Sequence, residues 1–141
     1  MKLRVPLAAL LAAVAAGSSA AAAPSRVTVT GEVIDTWCYV TQVMYAQGTA
    51  HHQCAVWCAV GGIPVSILGK DGRVYVVLKV EPDDTSVTPP AFVKIETHEV
   101  TVNGDLYERE GVNYLLVSQV MDDHGIVNFT DKEYGIQPFG E

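Results

Sequence analysis

Residues 63–80, IPVSILGKDGRVYVVLKV, constrain this chain more than any other stretch. Two short apolar runs, rich in Val and Ile, flank Lys70-Asp71-Gly72. Tight-turn residues between β-branched runs predict an antiparallel hairpin, and such a hairpin must pair further or expose its edges. The chain supplies partners on both sides. RVTVTGEVIDTW (26–37) alternates apolar and polar, placing Val27, Val29 and Val33 toward a core, with Gly31 at a bend or bulge. VKIETHEVTVNGDLYEREGVNYLLVSQVM (93–121) predicts two or three more strands, with turns at Asn103-Gly104 and Glu110-Gly111. EPDDTSVTPPAF (81–92), which contains Asp83 and Asp84, reads as a loop, and the segment after Met121 as mostly loop. Between the first strand and the hairpin, TAHHQCAVWCAVGG (49–62) predicts a short helix, capped at its start by Thr49 and ended by Gly61-Gly62. Five or so strands with one inserted helix make an all-β domain, a small antiparallel barrel or sandwich.

The start of the chain is read separately. Lys2 and Arg4 precede the apolar run VPLAALLAAVAAG and the small-residue stretch SSAAAA, the pattern of a secretory signal peptide over 1–22. The run falls short of the roughly 20 apolar residues of a spanning helix. The expectation is therefore a single domain over 23–141, periplasmic or secreted. Removing 1–22 leaves seven of the nine basic residues against sixteen acidic ones, so the net charge moves from −7 to −9. That balance speaks against nucleic acid and anionic membrane surfaces as partners.

All three cysteines and two of the four histidines lie within 38–58. On a helix, His51, Cys54 and Cys58 fall at i, i+3 and i+7 and share one side, while His52 and Trp57 point elsewhere and His52 is expected to behave as a surface residue. Cys38, leaving the first strand, is within reach of folding over that side. Three thiolates and an imidazole suit tetrahedral zinc or, with soft sulfur, copper(I), and Met44 is a nearby thioether. Cys38, His51, Cys54 and Cys58 are the candidate metal ligands. The competing reading belongs to oxidising compartments. There, Cys38 bridged to Cys54 or Cys58 would staple the helix to the barrel, worth about 2–4 kcal/mol, and leave one thiol over. The residues leave both readings open.

Other chemistry is weaker. Haem attachment needs C-x-x-C-H, which is absent from the sequence. His51 beside Cys54 has the pairing of an activated thiol, but no third orienting residue is readable, so no enzyme is expected. His98 reads as a surface or barrel-lining residue. His124, beside Asp122 and Asp123, reads as a solvated turn lacking the calcium-loop pattern. Trp37, Tyr39 and Tyr45 flank the cluster as core or lid.

Two resemblances bear on this. HEVTVNGDLYEREGVNYLLVSQV (98–120) resembles the closing strands of exported OB-fold proteins, which implies an OB-like barrel over roughly 27–34 and 65–120, with one short helix inserted after the first strand. The cysteine region resembles a pattern in exported bacterial proteins: Gly31, Val33, Asp35, Cys38, Tyr39, then His51, Cys54, Ala55, Cys58, then Gly61, Gly62, Ile63 and Pro64. That resemblance implies no activity. The C-x-x-x-C with a histidine is also similar to copper-handling proteins. In the binuclear copper centres of oxidases, however, the histidine follows the cysteines, whereas His51 precedes them. The implied partner is a periplasmic redox or assembly protein.

Overall fold

In the computed structural model, which describes residues 23–44, 46–81 and 89–131, the hairpin forms from β2 (Val65–Gly69) and β3 (Val74–Val80). Ser66 stands opposite Val76 and Leu68 opposite Val74. The turn is held by Gly69 N donating to Arg73 O (2.9 Å) and Gly72 N to Gly69 O (2.8 Å). The Asp71 carboxylate accepts from Arg73 N at 3.1 Å and from the Tyr75 hydroxyl at 2.7 Å.

Around this hairpin the chain closes a five-stranded barrel in the order β1-β2-β3-β5-β4, with β1 (Ser25–Asp35) also paired to β4 (Glu99–Arg109). β1 performs the closure by using its two halves differently. Residues 25–32 pair with β4 and residues 31–35 with β2, so Gly31 stands opposite both Val100 and Gly69. It lies in continuous strand. Four of the five pairings are antiparallel, but β3 and β5 (Val112–Asp123) run parallel. The β4–β5 hairpin enters on the β1 side, so its second strand returns alongside β3 in the same direction. This is the topology of an OB-like barrel.

The core is the inward half of each alternating strand: Val29 and Val33 of β1, Ile67 of β2, Val77 of β3, Val100, Val102 and Leu106 of β4, and Leu115 and Val117 of β5. Phe92, in the short α3 (Pro90–Val93), is fully buried in it. Near the end of β1 both faces are covered. Ile34 and Ser66, which alternate with core residues, are also fully buried. Two helices inserted between β1 and β2 lie against this end: α1 (Thr36–Thr41) and α2 (Gly48–Val60). The single predicted helix is α2, and α1 is an additional turn and a half that carries Cys38. Among the described residues no helix is long and apolar enough to cross a membrane.

Asn103-Gly104 is not a turn. It lies within β4, where the β4–β5 register shifts between Asn103 and Gly104. An Asn-Gly pair signals a hairpin only when the chain reverses. Here the missing Cβ lets two strands approach at a bulge that curves the sheet. A Cβ on Gly104 would lie 2.5 Å from the Leu116 carbonyl oxygen. The reversal occurs at Glu110-Gly111, both at positive φ (52° and 82°), as a two-residue type I′ turn requires. The predicted signal segment 1–22, the Asp83-Asp84 loop and the residues after Asp131 lie outside the described residues.

Gly104→Ala should therefore lower stability by about 1–3 kcal/mol through overpacking. Urea denaturation at constant m-value reads this directly, and a change under about 0.5 kcal/mol, the level of an ordinary surface substitution, would contradict the bulge assignment.

Candidate metal centre

The centre begins where β1 ends. Asp35 is still in register opposite Val65, and its side chain starts α1 by accepting a hydrogen bond from Cys38 N at 3.1 Å. That N-cap fixes the first turn and turns Cys38 inward, 2 % exposed. Gln42, at φ 56°, ends α1. The chain then reverses toward α2.

α2 is capped by distant residues. Its N-cap, Gln47, contributes no side-chain bond. Instead Gly48 N donates to Glu32 Oε1 (2.6 Å), Thr49 N to Asn128 O (3.0 Å) and Ala50 N to Thr130 Oγ1 (3.1 Å). Three of the first N–H groups, which a helix leaves without internal partners, are thus met by β1 and by the segment after β5. Thr49 lies inside the first turn, and its hydroxyl accepts from Asp131 N. The predicted Thr49 cap is corrected accordingly. The other end matches the glycine signal. Gly62, at φ 92°, lets Ile63 N reach Cys58 O (3.0 Å) and Gly62 N reach Ala59 O (3.0 Å), a Schellman closure on the turn that carries Cys58.

These anchors set the side chains. His51, Ala55 and Ala59 form the buried stripe of α2, with Cys54 and Cys58 half-buried in the adjacent row. The sulfurs of Cys38, Cys54 and Cys58 lie within 4.8 Å of one another, and none is in a disulfide. A second group with the same spacing joins Cys38 to Asp35 and to the imidazole of His51. The four predicted residues, joined by Asp35, therefore form two overlapping triads that share Cys38, and no single group holds all four. Met44 Sδ lies 3.6 Å from Cys54 Sγ.

Burial and one carboxylate dominate the electrostatics. Burial, reinforced by Asp35, pushes the Cys38 thiol up to about 11 and the Cys58 thiol further in the same direction. Burial lowers the His51 pKa, only partly opposed by Asp35, so its imidazole is neutral near pH 7 and able to coordinate. A metal-free centre thus holds the Cys38 and Cys58 thiols protonated, and a cation that displaces those protons reverses the balance.

Sequence reasoning missed Glu96. It is fully buried, and burial first, then the field of Asp35, pushes its carboxyl up to about 8. The 94–98 turn holds it there. Thr97 N donates to Val33 O and Val33 N to His98 O, both at 2.9 Å, and Thr97 sits at φ 60°. For a β-branched residue that conformation costs on the order of 1–3 kcal/mol and marks a turn held by its surroundings. His52 is one of those surroundings. Its Nδ1 lies 2.9 Å from both Glu96 O and Thr97 Oγ1, and its ring stacks on His98 with centroids 6.2 Å apart. His52 is half-buried and fastens α2 to the barrel, so the surface role expected from the helical wheel is corrected.

His98 in turn pairs with Asp123 at 2.8 Å. His124 is exposed, 3.4 Å from Asp122. Tyr39 is half-buried, Trp37 is exposed, and Tyr45 lies outside the described residues. Asp35 carried a legible signal, the D-x-x-C spacing of a cap; Glu96, in a run of mixed polar residues, carried none.

No protein-family model, curated protein or solved structure matches this chain.

Glu96 gives the metal-free protein a defined pH dependence. Below about 4.5 its carboxyl is neutral folded and unfolded. Between there and about 8 the unfolded chain ionises while the folded one keeps its proton, so stability falls as pH rises, by at most about 5 kcal/mol. Glu96→Gln should flatten that fall, leaving the variant more stable than wild type at pH 8 and little different at pH 4.5. Denaturation of both proteins at the two pH values checks this, and parallel pH profiles would contradict it.

Proposed function

We propose that this is an exported metal-binding protein that handles copper or zinc, or holds a metal centre serving a redox partner, with Cys38, His51, Cys54 and Cys58 as its donor set. The observation that carries the reading is the approach of three free sulfurs, from two helices, to within 4.8 Å of one another. Thiolates select soft or borderline ions, and the Met44 thioether beside Cys54 tilts the sulfur side toward copper(I). Export follows from the predicted signal peptide at 1–22, which makes the periplasm or the cell exterior the place of action.

Cys54 and Cys58 are half-buried, and Trp37 (53 %), Met44 (52 %) and Trp57 (71 %) stand exposed on the same insertion. An ion there is reachable by another protein, which supports exchange with a periplasmic redox or assembly partner. The acidic balance keeps nucleic acid out of the proposal. No catalytic role is included.

The competing function is a disulfide-stapled binding module, and the same sulfur proximity serves it. Alkylation of the mature protein, prepared without oxidant and treated with chelator, separates the two. Three modifiable thiols are expected, together with copper(I) or zinc binding that Cys58→Ser weakens by more than the roughly 10–100-fold typical of losing an outer-shell partner. His124→Ala, exposed at the end of β5, is the control and should bind as wild type does. A native bridge from Cys38 with one leftover thiol, and no metal affinity, would overturn the proposal in favour of the stapled module.

A further inference from the structure

We infer that the donor set holds two cations rather than one: a soft ion on Cys38, Cys54 and Cys58, and beside it a divalent ion of the zinc class on Asp35, His51 and the shared Cys38 thiolate. The inference rests on the proposed function and specifies how that site is filled.

Geometry is the first support. The Asp35, Cys38 and His51 donor atoms lie within 4.8 Å of one another, and all three residues are buried. Each is held by a different element: the end of β1, the first turn of α1 and the barrel-facing stripe of α2. No single group of mutually close donors contains all five residues, although Asp35 also acts on the Cys58 thiol. One small ion drawing on all of them would require the two groups to merge.

Unsatisfied polar atoms are the second support. Among the described residues, the buried side-chain nitrogens and oxygens without a hydrogen-bond partner are Asp35 Oδ2, His51 Nε2 and both oxygens of Glu96. The three residues are 1 %, 1 % and 0 % exposed. Leaving such a group unpartnered is costly, and more so for a charged one. Asp35 Oδ1 is already used by Cys38 N, so the free oxygen is the one available to an ion.

Charge is the third. Asp35 acts on Glu96, Cys38 and Cys58, and no lysine or arginine is among the groups acting on these three. The Asp35 and Glu96 carboxyl groups and the Cys38 thiol are buried together with no basic side chain acting on Glu96 or Cys38. A divalent cation supplies a counter-charge, and a mixed oxygen, nitrogen and sulfur donor set is one that zinc accepts.

The test is native mass spectrometry of the full mature chain, reduced and metal-free, titrated with copper(I) and then zinc(II). Wild type is expected to carry two ions. Asp35→Asn, which keeps an oxygen for the α1 cap, and His51→Gln should each lose the zinc and retain the copper. Cys54→Ser should lose tight copper and retain the zinc. A single ion in wild type, weakened alike by all three substitutions, would overturn the two-ion inference while leaving the metal-binding function standing. Wild type that binds no ion would overturn both.

Discussion

The Asp35 carboxylate is where the demands of the fold and of the centre meet. Its backbone is the last rung of the β1–β2 ladder, so the barrel fixes its position. One oxygen accepts from Cys38 N and thereby starts α1, which sets the direction of the shared thiol. The other is buried without a partner. Its field adds to burial in holding Glu96 and the Cys38 and Cys58 thiols toward their protonated forms, and at His51 it opposes the burial that lowers the pKa. A cap that only started a helix would serve as well from an exposed position. Burial among thiols and a second carboxylate adds a cost that an added positive charge relieves.

The barrel keeps that arrangement rigid. The two helices occupy the connection between the first and second strands, a place where OB-like barrels commonly build binding loops. Both ends of the insertion are tied. α2 takes its N-terminal hydrogen bonds from Glu32, Asn128 and Thr130, its C-terminus is closed at Gly62, and His52 fastens its middle to the Glu96 turn. Donors on a helix so held keep their spacing whether or not an ion is present, which favours tight binding.

Local patterns in the sequence were legible, and distant pairings were not. The hairpin around Asp71-Gly72 follows from β-branched runs and a turn, and the approach of Cys54 and Cys58 to each other from helical spacing, with His51 in the neighbouring buried row. Asn103-Gly104 misled because the dipeptide that makes a turn also suits a bulge, and only the position of Leu116 tells them apart. The α2 cap was misplaced on Thr49 because the true acceptors include residues about 80 positions away. The helical wheel sent His52 to solvent, but a helix lying on a barrel buries more than one stripe. Glu96 was invisible because a buried glutamate is written with the same letter as a surface one.

X-ray absorption at the copper edge, on mature protein loaded with copper(I) and freed of excess metal, tests the central claim most directly. The account predicts a first shell made of the sulfurs of Cys38, Cys54 and Cys58. A shell of nitrogen and oxygen alone, or no copper retained, would contradict it.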